Sequence, residues 1–338
     1  FFTAIFPFLL FIIIIIPFIP FSNFQTEFLD FLNSFLPPQT SEFFNENIFE
    51  NISRKEQGGL LSSVFVLSII LMANGVNAVF SEHSFAMYPI YTQASGADAH
   101  IAAPYPADHP EMPYGHDLEA MLGQIDARTR VVFIANPNNP TGTWIEREAL
   151  TAFLDRVPSD VVIVLDEAYT EYVTLEGFPN GLRLLARYPN MIVTRTFSKI
   201  YGLAGLRIGY GVSSPELASV IQRVRHPFNA NLIALAAAEA ALDDEQFLVQ
   251  SRNVNSAGMQ QLMSGFDDMG LKVIPSVANF LTVDLEREAA PVNQALLEQG
   301  VIVRPVANYK MPNHLRITIG SEKENQTFLA AFRRAMNA

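Results

Sequence analysis

From about Ser81 onward, apolar and polar positions alternate in a way that separates two kinds of element. The runs 131–135 (VVFIA), 161–165 (VVIVL) and 191–194 (MIVT) are short and almost wholly apolar, the pattern of strands covered on both faces. Amphipathic stretches at 146–156 and 181–187 lie between them and predict helices. Buried strands joined through helices imply right-handed crossovers and a mainly parallel sheet with helices on both sides, an α/β architecture. Beyond Pro227 the pattern changes. Helical periodicity spans 232–242 and 244–263, the second long enough to bridge two domains. Strand patterns at 271–274, 280–284, 301–304 and 315–319 then mix with helices near 292–299 and 323–336, which predicts a smaller α+β domain.

Residues 1 to about 80 have another texture. They hold 16 of the 27 phenylalanines, with no charge before Glu27 and no basic residue before Arg54. The apolar run 9–16 has the length of a signal-peptide core but lacks its Lys/Arg flank, and Pro7, Pro17 and Pro20 interrupt a helix there. The uncharged run 60–80 is broken by Asn74-Gly75 and Asn77, so it reads as a buried helix, a turn and a strand. Three readings of residues 1–58 stay open: a membrane or targeting segment, an unusual packed extension, or a stretch whose recorded residues are not the true ones. The organisation expected is this atypical segment at 1–58, a large domain at 59–228, and a linking helix with a small domain at 229–338.

Charge and composition narrow the function. A net charge of -12 over 338 residues excludes a general nucleic-acid binder, which needs a basic face. The absence of cysteine excludes disulfides, zinc-thiolate sites and cysteine nucleophiles, and fits a cytoplasmic protein. The six histidines show no metal-ligand spacing, so no metal is expected. His100, His109 and His116 fall in a Pro-rich span and read as solvated loop residues.

In open α/β sheets ligands bind beyond the carboxyl ends of the strands, so polar residues there carry weight. After 131–135 stands Asn136-Pro137-Asn138-Asn139-Pro140-Thr141-Gly142, a fixed turn that presents an amide, although a rigid connection alone also accounts for it. After 161–165 stands Asp166-Glu167-Ala168-Tyr169; a carboxylate leaving an apolar strand wants a cation, a helix to cap or a structural ion pair. After 191–194 comes Thr196-Phe197-Ser198-Lys199, with Arg207 eight residues beyond the lysine. Lys199 is either a surface lysine ahead of a strand or an amine whose desolvation lowers its pKa and suits it to form a Schiff base. An amide, a carboxylate and an amine on one rim suit a protonated pyridine ring used as an electron sink, with Thr196, Ser198 and Arg207 placed to hold a phosphate.

Residues 81–338 resemble the fold-type I pyridoxal-phosphate aminotransferases, most closely the subgroup that acts on histidinol phosphate. The motifs that carry the resemblance are Asn138-Asn139-Pro140-Thr141-Gly142, Asp166-Glu167-Ala168-Tyr169, Ser198-Lys199 with Gly205-Leu206-Arg207-Ile208-Gly209, and Leu315-Arg316-Ile317-Thr318. Ser84-Phe85-Ala86-Met87-Tyr88 and His226-Pro227-Phe228-Asn229-Ala230-Asn231 add to it. The resemblance implies a large domain with a mainly parallel sheet between helices, a smaller α+β domain, and pyridoxal 5'-phosphate as cofactor. It implies Lys199 as the Schiff-base lysine and proton carrier, Asp166 on the pyridine nitrogen, and Asn139 and Tyr169 on the ring hydroxyl oxygen. Ser198, Arg207 and Thr196 would hold the cofactor phosphate, and Phe85 would lie over the ring. Arg316 would clamp a substrate carboxylate and Arg304 a substrate phosphate, in an exchange between L-histidinol phosphate and 2-oxoglutarate. A homodimer is implied, with small-molecule substrates and neither nucleic acid nor membrane as partner.

Two departures stand out. The family's glycine-rich grip on the cofactor phosphate is expected near 58–65, where Gly58-Gly59-Leu60-Leu61-Ser62-Ser63 is a poor echo. The family's amino-terminal substrate-contacting tyrosine and the tyrosine that reaches the partner subunit's phosphate are not recognisable. The rival activities are an aromatic or broad-range aminotransferase, a phospho-amino-acid decarboxylase of the same fold, and a non-catalytic membrane-attached relative.

Overall fold

A computed structural model describes residues 75–337. The atypical segment 1–58, the glycine-rich echo and the helix expected from residue 60 lie outside them.

Six strands form the larger sheet: β1 (Asn77–Ser81), β2 (Asp98–Ala102), β3 (Thr129–Ala135), β4 (Val162–Asp166), β5 (Met191–Thr196) and β6 (Gly209–Ser213), in the order β2-β1-β3-β4-β5-β6. Neighbours are parallel except β6, which runs antiparallel to β5. The helices around it are α1 (Met87–Ala94), α2 (Leu118–Gly123), α3 (Arg147–Leu154) and α4 (Pro215–Gln222). Successive strand residues face opposite ways, so each apolar run feeds two cores at once. Phe80, Val131, Phe133, Val164 and Ile192 pack with Tyr88 of α1 and Ile221 of α4. Val132, Ile134, Ile163, Leu165 and Val193 pack with Met121 of α2 and Leu150, Phe153 and Leu154 of α3. This is why β3, β4 and β5 are apolar over 131–135, 162–165 and 191–193.

Two of these four helices start at a capping side chain. Asp117 accepts from the Ala120 N–H ahead of α2, and Ser214 accepts from the Leu217 N–H ahead of α4, with Pro215 in its first turn. The helix expected at 181–187 is a single 3-10 turn, Gly181–Arg183. Its first residue is pressed so close to the sheet that a Cβ would meet Leu165, Glu167 and Val193, and its N–H is taken by the Glu167 carboxylate at 2.7 Å. Of the three histidines expected in solvent, His116 is buried at 5 % exposure, because its Nε2–H donates to the Ala135 carbonyl at the end of β3, at 3.0 Å.

Two helices, α5 (Leu232–Leu242) and α6 (Glu245–Asp267), lead to a second, antiparallel sheet of β7 (Lys272–Ile274), β8 (Phe280–Asp284), β9 (Arg304–Pro305) and β10 (His314–Thr318), ordered β7-β8-β10-β9. One face buries Leu281, Val283, Leu315 and Ile317 against α6, α7 (Ala289–Glu298) and α8 (Glu322–Met336) through Leu262, Phe266, Val292, Leu296, Phe328 and Phe332. The strand expected at 301–304 shrinks to two residues: Ile302 is exposed, and Pro305, having no N–H, ends the pairing with β10.

The other face of this sheet carries Phe280, Thr282 and Arg316 toward the ends of β3 to β5. The Thr282 hydroxyl donates to the Pro140 carbonyl, and the Val277 N–H donates to the Gly142 carbonyl at 3.1 Å. Gly142 has φ +82°, and a Cβ there would lie 2.2 Å from the Ser276 hydroxyl oxygen, so the absence of a side chain lets the two sheets approach. Among the described residues no helix is long and apolar enough to cross a membrane.

Candidate active site

Strands β3, β4 and β5 are adjacent, with Ala135 opposite Asp166 and Asp166 opposite Thr194 in register. Their carboxyl ends therefore deliver the amide, the carboxylate and the amine side by side.

The turn after β3 spends two of its asparagines on its own shape. Asn136 exchanges two hydrogen bonds with the main chain of Ile145, and Asn138 donates to the His83 carbonyl and the Thr141 hydroxyl at 2.7 and 2.8 Å. Asn139 is different: its Oδ1 accepts from the Arg316 guanidinium of the second sheet. An amide that accepts at oxygen still has its NH₂ to donate, so Asn139 offers a donor to an occupant of the cleft.

Asp166 closes β4. The Tyr88 hydroxyl donates to its Oδ2 at 3.0 Å, and the Ala168 N–H donates to its Oδ1 at 3.2 Å. Burial pushes its pKa up, opposed chiefly by the Tyr88 bond and also by the Lys199 charge. Tyr169, three residues on, is buried with its ring edge-on to Phe280 at 5.3 Å. Burial raises its phenol well above the usual range, so it stays a hydrogen-bond donor.

Lys199 follows β5, and its Nζ lies 5.1 Å from the centroid of the Tyr169 ring. Its pKa is lowered, first by burial and then by the Arg316 and Arg207 charges, with Asp166 pulling the other way. Beside it the Thr196 hydroxyl accepts from the Ser198 N–H at 3.0 Å, and Arg207 Nη1 donates to the Ser198 hydroxyl at 3.4 Å. Arg207 has φ +55°, a left-handed conformation that costs a non-glycine residue about 1 kcal/mol or more, and its exposed guanidinium is turned back over this rim.

Phe85 is half-buried just ahead of α1, its ring perpendicular to that of Tyr88 at 5.8 Å. Arg316 places its Cζ 4.8 Å over the Phe280 ring, and its Nε is buried without a protein acceptor. Arg304 is exposed and sits directly opposite Arg316 in the β9–β10 register. Like charges so paired repel unless an anion lies between them. All ten residues singled out from the sequence thus lie among the described residues. Lys199, Asp166, Asn139, Tyr169 and Arg316 form one cleft; Ser198, Thr196 and Arg207 line its rim; Arg304 is its outermost member.

Sequence reasoning gave Tyr88 no role, though it stands in the same Ser84-Phe85-Ala86-Met87-Tyr88 motif as Phe85. It also missed the support beneath the cleft, where Arg195 donates to Glu167 at 2.7 and 2.9 Å, both side chains largely buried. No pattern in one sequence joins residues 28 apart into an ion pair.

The donor set fits a phosphorylated pyridine aldehyde. An amine of lowered pKa, a buried carboxylate, a free amide NH₂, a hydroxyl–guanidinium rim and a partnerless buried guanidinium N–H together match the groups such a molecule and an anionic substrate present. The sequence profile described as aminotransferase class I and II matches residues 32–332. The chain belongs to that family. This aminotransferase is 61% identical over 265 residues to a protein named histidinol-phosphate aminotransferase 2 from Pseudomonas fluorescens, covering 78% of this chain and 70% of that one. It is 58% identical over 260 residues to a protein of the same name from Pseudomonas aeruginosa, covering 77% and 69%. Among solved structures it is similar to histidinol-phosphate aminotransferase from Sinorhizobium meliloti in complex with pyridoxal-5'-phosphate, with TM-score 0.74, 29% identity and coverage of 82% and 76%. The Clostridium acetobutylicum enzyme of that name shares the fold, with TM-score 0.75 at 22% identity over 89% and 90%. These likenesses make the aminotransferase a fold-type I, pyridoxal-phosphate-dependent enzyme.

Proposed function

We propose that this aminotransferase moves the amino group of L-histidinol phosphate to 2-oxoglutarate. The observation that carries the reading is the convergence of a half-buried Lys199, Asp166 and Asn139 on three adjacent strand ends, facing Arg316 from the second sheet. When bound, pyridoxal phosphate supplies the electron sink that makes the substrate Cα–H acidic. Asp166 would accept from the ring nitrogen and keep it protonated, while Asn139 Nδ2 and the Tyr169 hydroxyl would donate to the ring oxygen. Ser198 and Arg207, with Thr196 behind them, would hold the phosphate, and Phe85 would lie over the ring. Lys199, whose pKa burial lowers, would act as nucleophile and would take and return the proton at Cα. Arg316 holds the carboxylate of the oxo acid through paired N–H donors.

Arg304 distinguishes the phosphorylated donor from unphosphorylated amino acids. It is exposed at the cleft's outer edge beside Arg316, where a substrate phosphate relieves the repulsion of two facing guanidiniums. We further propose a cytoplasmic homodimer. The exposed apolar side chains Phe228, Leu232 and Ile233, at 75%, 81% and 74% exposure, mark the face a second copy covers. The test is a visible spectrum of the purified protein before and after borohydride, with peptide mapping of the trapped group. Attachment at Lys199 is expected; a colourless protein that takes up no added pyridoxal phosphate refutes the reading. Light scattering that reports a monomer would remove the homodimer alone.

A further inference from the structure

Tyr88 is buried to 0% exposure in the apolar layer between α1 and the sheet. Its ring stacks on Phe133 with centroids 4.7 Å apart and planes 10° from parallel, and it meets Phe80 and Phe85 at 6.3 and 5.8 Å. In such a pocket a phenylalanine would pack equally well and spare the desolvation of a hydroxyl. The hydroxyl is nevertheless there, and it donates to Asp166 Oδ2 at 3.0 Å.

We propose, building on the aminotransferase reading above, that Tyr88 is a positioning residue for the reaction: its hydroxyl fixes the orientation and the negative charge of the Asp166 carboxylate that serves the cofactor's ring nitrogen. A carboxylate offers about four lone-pair positions. The Ala168 N–H uses one on Oδ1 and Tyr88 one on Oδ2, which locks rotation of the group and leaves acceptor capacity for the ring N–H. The aromatic stack holds the phenol still, so the bond is made without reorganisation when the ring arrives.

The groups around the carboxylate act in a definite balance. Burial opposes its charged form, whereas the bonds from Tyr88, the Ala168 N–H and Thr194, together with the Lys199 charge, favour it. Tyr88 itself is pushed well above its ordinary pKa by burial and by Asp166, with Tyr169 and Tyr309 adding to the effect, so it remains a neutral donor across the working range.

Tyr88→Phe removes one oxygen and keeps the ring. The expected result is an unchanged circular dichroism spectrum with a dissociation constant for pyridoxal phosphate about tenfold weaker, the equivalent of about 1.4 kcal/mol from one charge-assisted hydrogen bond. The same substitution in an Asp166→Asn background should change that constant less than twofold, because the charge it supports is gone. A pyridoxal phosphate analogue with carbon in place of the ring nitrogen should bind wild type and Tyr88→Phe alike. Tenfold losses in both backgrounds, or with the carbon analogue, would make Tyr88 a packing residue and overturn the proposal. Unchanged affinity in Tyr88→Phe would also overturn it, while leaving the parent reading intact so long as wild type binds the cofactor. Wild type that binds none would overturn both.

Discussion

His116 should make the folded protein sensitive to mild acid. Its Nε2 faces the Ala135 carbonyl, which can only accept, so the proton of the neutral ring sits on Nε2 and Nδ1 is a bare lone pair. That Nδ1 is buried with no partner, so a second proton would create an N–H with nothing to receive it. Burial accordingly lowers the His116 pKa from 6.5 to about 4. Between those values the unfolded chain binds a proton that the folded chain refuses, so stability falls as pH falls from about 6.5 and the loss is complete near 4. At about 1.36 kcal/mol per unit the whole interval is worth about 3 kcal/mol, and about 2 kcal/mol has gone by pH 5. Glu171, whose carboxyl burial pushes up to about 7, titrates in the opposite sense over the same range, so the wild-type profile alone does not isolate the histidine. The informative measurement is urea unfolding of wild type and His116→Gln at pH 7 and pH 5, followed by the fluorescence of Trp144, the sole tryptophan. With a denaturant slope of about 3 kcal/mol/M, wild type should lose about 0.7 M more of its midpoint between the two pH values than the variant does. If both proteins lose the same amount, His116 is not held neutral and the reasoning fails.

Three further outcomes follow from the geometry. Arg195→Ala strands the Glu167 carboxylate, 1% exposed, without its cation and should cost about 3–5 kcal/mol in urea unfolding, with partial recovery when Glu167→Gln is added. Gly142→Ala forces a Cβ into Ser276 at a φ of +82° and should cost about 2 kcal/mol or more in the same assay; full stability would mean that the two sheets are not in close contact there. Arg304→Ala should lower kcat/KM for phosphorylated donors roughly tenfold or more, about 1.4 kcal/mol, and leave unphosphorylated donors within about twofold; equal losses on both would favour a broad-range aminotransferase.

The strands that carry the site were legible because burial on both faces leaves no polar position until a strand ends; Asp166 therefore stood out against VVIVL. The long helices were legible too, α5 over the full 232–242 and α8 within a residue of its start, since the Ala/Leu-rich helix-forming composition of the first and the amphipathic periodicity of the second are local properties. What was not legible depends on distant partners. The stretch at 181–187 is amphipathic on paper, yet the sheet presses Gly181 into a turn whose N–H belongs to Glu167. His116 sits among prolines and glycine that read as solvent, but the Ala135 carbonyl draws it inside. Tyr88 and Asp166 are 78 residues apart, and only the fold brings a phenol to that carboxylate.

Arg316, the carboxylate clamp of the proposed reaction, is also the largest charged influence holding Lys199 below its ordinary basicity. An anion seated on Arg316 cancels part of that positive field at the amine. The proton affinity of the free lysine therefore rises when the cleft is filled and falls when it empties. Occupancy of Arg316 would thus tune the amine, making Lys199 a better proton acceptor with an anion in place than without one.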